Sequence, residues 1–189
     1  MESFKADRNE DPKFKTYASI ASCDESVYQH ILPISASRKN DSPWKQMFPK
    51  GWNKKIIDAL IISLLAKKDA KLIITAAKEQ QGFIIGHAFT DLLKDLHIED
   101  HARFSKVYLQ LYVITHKEKK GNAFSELHQE LVKHAKEKGY NTMISRTPEV
   151  NHSGIRALTK CGFTDKLLID DSSTPKRVYL AKKIQTDSF

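Results

Sequence analysis

A chain of 189 residues is long enough for one domain with a sizeable core, and neither composition nor periodicity shifts along it enough to demand a second. The 31 Lys and Arg against 23 Asp and Glu give a formal net charge of +8, which fits a polyphosphate, nucleic acid or an acidic protein surface; because the basic residues are dispersed, nucleic acid ranks below a small phosphate ligand. Cys23 and Cys161 lie far apart without a paired metal-binding spacing, which argues against a structural zinc site and for reduced thiols in a cytoplasmic protein.

Residues 1–15 are charged, lack the apolar core of a secretory signal and are expected to be flexible, with one domain over 16–189. A short strand opens that domain near residues 17–20. From 25 to 55 the chain mixes short helices with loop signals at Pro33, Pro43, Pro49 and Gly51. Trp44, Met47, Phe48 and Trp52 there either wall a site or cover the core. Residues 56–67 form a strongly apolar helix. Asp58 and Ser63 interrupt its apolar run, which falls far short of the ~20 residues needed to cross a bilayer, so no membrane partner is expected. Strands follow at 71–77 and 82–92, joined by a turn at Gln80, Gln81 and Gly82. A polar excursion over 94–106 leads to a strand at 107–114 rich in β-branched and aromatic residues. Next comes a helix over 122–138, where Phe124, Leu127, Leu131, Val132 and Ala135 repeat with helical spacing and Gly139 supplies the cap. A strand at 141–146, an interruption at 148–152, a helix over 153–160 ending at Cys161 and Gly162, and strands at 163–170 and 176–184 complete the chain. The order β-β-β-α-β-α-β-β after the early helices reads as an α/β (α+β) fold, a mixed sheet flanked by helices.

The junction at Gly121 carries the strongest local signal. The hydrophobic period changes there from two to about three and a half, so a strand hands over to a helix through the basic turn HKEKKGNA. A helix start leaves backbone N–H groups without intrahelical partners and carries partial positive charge, and small residues let an anion approach it closely. Lys117, Lys119 and Lys120 add mobile positive charge. Taken alone, a solvated loop explains the same residues.

Two spaced elements narrow that choice. Leu111-Tyr112-Val113 is followed by Glu118-Lys119-Lys120-Gly121-Asn122-Ala123, and further on Asn151 precedes HSGIRALTKC and Gly162-Phe163. With Gly82-Phe83-Ile84-Ile85-Gly86, these elements give a chain that resembles, over about residues 72–184, the GNAT superfamily of acetyl-CoA-dependent N-acetyltransferases. The resemblance implies a mixed, mostly antiparallel central sheet and acetyl-CoA as cosubstrate, with no metal. It also implies direct attack on the thioester by a primary amine of a small molecule or protein; a homodimer is compatible with it. Backbone N–H groups near Lys119, Gly121, Asn122 and Ala123 would hold the CoA pyrophosphate, with Glu118, Lys120 and Asn151 in the cofactor-binding set. Pantetheine would lie in a gap between two splayed parallel strands, where the Val113 backbone N–H polarises the thioester carbonyl.

The chain departs from the family pattern at two positions. Glu118 stands where Gln or Arg is usual, and Leu158 stands where many of these enzymes carry the tyrosine that protonates the departing thiolate. Leu158 leaves open a GNAT-like CoA-binding or regulatory module with little catalysis. Positions used as bases in some relatives fall on the inert Val107 and Leu109. Tyr112 is then the candidate proton donor, with core packing as its alternative. His87, His116 and Cys161 read more simply as structural or solvated residues, while Asp170 and Asp171 form either a solvated turn or an acceptor-side pair.

Overall fold

Alternating and continuous apolar runs along the chain give one sheet covered on both faces. The structure, a computed structural model, describes residues 13–41, 45, 53–75, 81–89, 106–118 and 122–184. Its elements are β1 (Phe14–Tyr17), a 3-10 turn (Ile20–Ser22), α1 (Ser26–Ser37), α2 (Lys54–Leu65), β2 (Lys71–Thr75), β3 (Gly82–Ala88), β4 (Val107–Thr115), α3 (Ala123–Glu137), β5 (Thr142–Pro148), α4 (His152–Lys160), β6 (Asp165–Asp170) and β7 (Arg177–Lys183). Among the described residues the sheet has seven strands in the order β1-β2-β3-β4-β5-β7-β6. Every neighbouring pair is antiparallel except β4 and β5. The expected mixed, mostly antiparallel sheet flanked by helices is therefore the one found.

Nearly unbroken burial along β2 and β3 follows from helices on both faces. On one face Val27, Ile31 and Ile34 of α1 and Ile57, Ile61, Leu64 and Leu65 of α2 pack on Leu72, Ile74, Phe83, Ile85, Leu109 and Leu111. On the other, Leu127, Leu131 and Ala135 of α3 pack with Ile73, Ile84, Tyr108 and Met143, joined by Leu158, Phe163, Val178 and Leu180. Close approach of α3 requires a bare strand beneath it. A Cβ on Gly86 would stand 2.5 Å from Tyr108 Cε1, 2.7 Å from the Leu109 carbonyl oxygen and 3.0 Å from Leu131 Cδ2.

Both long-range helices end as their glycines require. Gly139 and Gly162 have φ of +77° and +89°, and in each case two backbone N–H groups fold back on the last turn: Gly139 to Lys136 with Tyr140 to Ala135, and Gly162 to Thr159 with Phe163 to Leu158. These double closures set the direction in which β5 and β6 leave.

Two elements differ from the sequence reading. Pro33, expected to mark a loop, lies inside α1. An interior proline costs about 3 kcal/mol, but Val27, Ile31 and Ile34 are all buried, and each contributes about 1.5–3 kcal/mol. The first strand occupies Phe14–Tyr17 and pairs with β2, upstream of the expected 17–20. Trp44, Met47, Phe48, Trp52, the turn at Gln80 and residues 94–105 lie outside the described residues.

Candidate functional site

The parallel pair β4 and β5 is joined along only half its length. Val107, Tyr108, Leu109 and Gln110 pair with Thr142, Met143, Ile144 and Ser145, and there the pairing stops. Beyond it β4 follows β3 as far as the Thr115–Gly82 pair, and β5 follows β7 as far as Pro148–Arg177. An opening therefore begins between Leu111 and Arg146. A register shift accompanies it: Gly86 faces Gln110 but Ile85 faces Tyr112, leaving Leu111 as an extra residue on β4.

The ladder's alternation then fixes the backbone directions. His116 donates to the Gln81 carbonyl at 2.7 Å, which makes that facing pair a hydrogen-bonded one. Counting back along the register, Val113 and Thr115 fall at non-bonded pairs, so their N–H and C=O groups turn away from β3 toward the opening. The Thr115 carbonyl is met from that side by Arg38 Nε at 2.8 Å.

Arg38, at the end of α1, ties the mouth of the opening together. It also reaches Thr115 Oγ1 at 3.2 Å and Asp41 Oδ2 at 2.8 Å, and Asp41 Oδ1 receives Lys117 Nζ at 2.9 Å. Burial raises the Asp41 pKa, but the bonds from Arg38 and Lys117 outweigh it and hold the carboxyl below its usual value. The Lys117 charge, expected to be mobile beside a phosphate, is thus engaged by Asp41. Glu118 is exposed, with its N–H 3.3 Å from His116 Nδ1. Asn122 and the buried Ala123 begin α3, and the Asn122 carbonyl accepts from Glu126 N–H at 2.9 Å. Lys119, Lys120 and Gly121, and the Tyr112 side chain, lie outside the described residues.

Asn151 stands where α4 begins, and its amide is bonded through both its oxygen and its nitrogen. Oδ1 accepts from Gly154 N–H and Ser153 Oγ, each at 3.1 Å, and Nδ2 donates to Thr147 Oγ1 at 3.0 Å. Gly154 makes room for this cap, since a Cβ there would lie 2.3 Å from Asn151 Nδ2. Leu158 is buried in the apolar cluster of the α3 face. Burial pushes the Cys161 thiol up and the half-buried His87 down, and His87 Nδ1 lies 2.7 Å from the Ala88 carbonyl, the structural reading in each case. Asp170 and Asp171 serve their own turn: Asp170 Oδ1 accepts from Ser172 N–H and Oγ, and Asp171 pairs with Lys176 at 2.8 Å.

The sequence reading missed Arg146, at the opening, and a buried group of Gln110, His128 and Lys182 that runs back from its last closed pair. Arg146, half-buried, is the first β5 residue beyond the paired stretch, and its Nη1 lies 3.5 Å from Tyr179 Oη. Gln110 and His128 are buried and bonded to one another at 2.6 Å. Lys182 Nζ lies 2.8 Å from His128 Nε2 and 2.9 Å from the Cys161 carbonyl. The available signal was the placement of His128 beside Leu127 on the buried stripe of α3. Among the described residues no group of three or more His, Cys, Asp and Glu is arranged to hold a metal ion, and no helix is long and apolar enough to cross a membrane.

Neither a protein-family model nor a curated protein matches the sequence. Solved structures match the fold along most of its length at low identity. Arylalkylamine N-acetyltransferase 2 from Aedes aegypti has a TM-score of 0.62 and 12% identity, covering 92% of this chain and 100% of that one. The ribosomal-protein-S18-alanine N-acetyltransferase from Escherichia coli has a TM-score of 0.58 at 10% identity, covering 93% and 96%. An acetyltransferase of the GNAT family from Streptococcus pneumoniae has the same score of 0.58 at 10% identity, covering 91% and 99%. The chain thus has the fold of GNAT-family acetyltransferases.

Proposed function

We propose that this protein is an N-acetyltransferase that takes an acetyl group from acetyl-CoA and delivers it to a primary amine of a small molecule or protein by direct attack. The observation that carries the reading is the fork between β4 and β5, with the Val113 N–H turned into it. Attack by the neutral amine forms the N–C bond and moves the carbonyl electrons onto oxygen. Collapse breaks the C–S bond, the attacking nitrogen gives up a proton to solvent, and the thiolate takes one up. A backbone donor already aimed at the developing oxyanion stabilises that passage by about 3 kcal/mol.

Residues at the C-terminal end of β4 and just beyond it divide the work. The start of α3 at Asn122 and Ala123, with backbone groups of Glu118, Lys119, Lys120 and Gly121, would hold the pyrophosphate. Val113 would hold the acyl carbonyl. The Glu118 carboxylate is exposed and free to turn outward, so it does not bar that use. Asn151 acts on the cofactor channel through α4, which its side chain caps. Tyr112 is assigned the proton for the departing thiolate, since Leu158 has no hydroxyl to give. We assign one domain that takes in β1 from Phe14, two residues before the expected start at 16, through 189, and the setting to the cytoplasm, in keeping with the free Cys23 and Cys161.

The buried Leu158 supports a second reading, a CoA-binding module with little turnover. Calorimetry with acetyl-CoA, followed by an amine and peptide screen for free-CoA release, separates them. Acceptor-dependent release is expected. Tight binding with silence across the panel leaves the module, and no saturable binding removes both.

A further inference from the structure

Gln110 is the last β4 residue paired with β5, so the opening starts directly beyond it. Its side chain is fully buried on the α3 face, yet only half of its amide has a partner. Oε1 lies 2.6 Å from His128 Nδ1, whereas Nε2 has no partner among the described residues. The bonds beyond His128 give this arrangement a direction. A lysine ammonium only donates, so Lys182 Nζ gives a hydrogen to His128 Nε2 at 2.8 Å, and the ring's own hydrogen sits on Nδ1. That hydrogen goes to Gln110 Oε1, which orients the amide and leaves Nε2 as a donor with nothing to give to.

Burial, with the Lys182 charge behind it, pushes the His128 pKa down to about 3, which keeps the ring neutral and the sequence of donors in force. Leaving a buried donor unmatched costs about 1–3 kcal/mol. Most such groups in folded proteins are matched, so this one calls for a partner from outside the chain. Phe163 closes the other side of His128, with ring centroids 5.3 Å apart, and Lys182 is anchored again on the Cys161 carbonyl. The amide is therefore held by three elements at the vertex of the fork. Val113 stands three residues further along β4, about 10 Å on an extended strand, a span shortened by the bulge at Leu111.

We propose that Gln110 Nε2 is a second donor to the thioester carbonyl oxygen, acting with the Val113 N–H, and that His128 and Lys182 are its positioning residues. The proposal rests on the acetyl-CoA reading. Its probe is a pair of ligands that differ only at that oxygen: acetyl-CoA, and S-ethyl-CoA, which has no carbonyl. The native protein is expected to prefer acetyl-CoA, and Gln110→Met to lose that preference while holding S-ethyl-CoA as before. In turnover the variant should lower kcat/KM for acetyl-CoA about 100-fold. Gln110→Asn keeps the amide but draws it back by one methylene, and the same loss is expected should the Met variant fail to fold. A preference that survives in a folded variant overturns the proposal and leaves acetyl-CoA binding intact. If the native protein binds neither ligand, the acetyl-CoA reading itself is lost.

Discussion

The two ends of the β4–β5 pair behave differently although the strands are continuous. At the lower end four residue pairs hold the strands together, and the turn before β2 clasps them from below. Asp69, at φ 52°, offers its carbonyl to Tyr108 Oη at 2.9 Å and to His134 Nε2 at 3.2 Å, and its carboxylate to Tyr140 Oη. Tyr108 sits edge-on to both His134 and Tyr140, with ring centroids 5.8 and 5.2 Å apart. At the upper end the strands separate, and among the described residues Ser37 at the end of α1, with Arg38 and Asp41 just beyond it, ties down the end of β4 and the turn that follows. A parallel pair stitched throughout would direct all its inner backbone groups to one another. Closing one end firmly is what lets the other keep the Val113 backbone turned into the opening.

Substitutions at the upper end should change binding and rate with little effect on stability. The largest effect is expected of Tyr112→Phe: if the hydroxyl delivers the proton to the thiolate, kcat falls by about 10² to 10⁴ in single-turnover assays. Unchanged turnover removes Tyr112 as the acid. Next comes Gly121→Val, a bulky replacement in the proposed phosphate turn. Loss of one charge-assisted bond to phosphate is worth about 1.5–3 kcal/mol, or roughly 10- to 100-fold in the dissociation constant for acetyl-CoA by calorimetry. Equal affinity in the two proteins would reject the phosphate turn.

The same division marks what was legible in the amino-acid order. Elements built from contacts between near neighbours were readable: the alternating run of β4, the stripe Leu127, Leu131 and Ala135, and the caps at Gly139 and Gly162. The fork was readable only through resemblance, because a loss of pairing leaves no trace in the strand that loses it. Arg38 and Thr115 are 77 residues apart and His128 and Lys182 are 54 apart, so neither sequence neighbourhood announces its bond. Pro33 looked like a loop signal because its local penalty is visible, whereas burial of Val27, Ile31 and Ile34 against distant strands is not.

At the lower end the expected effects are on stability. Tyr140→Phe removes the hydroxyl from the Asp69 carboxylate and should cost about 1–2 kcal/mol in denaturant unfolding, with acetyl-CoA affinity unchanged. A matching loss of affinity would mean that the two ends are coupled through β4.

The smallest effect is expected at the mouth of the fork, in Asp41→Asn. Asp41 has a depressed pKa in the folded protein, so its contribution is present above the unfolded value, about 3.9, and fades as pH falls through the folded one. Both partners are partly exposed, which limits the contribution to less than about 1 kcal/mol near neutrality. Unfolding curves of native and variant should therefore differ slightly at pH 7 and converge below about pH 4. A gap that stays constant across that range would mean that the side chain acts through packing and not through its charge. The upper end would then be held by Arg38 on the Thr115 carbonyl, and α1 would shape the fork without help from Lys117.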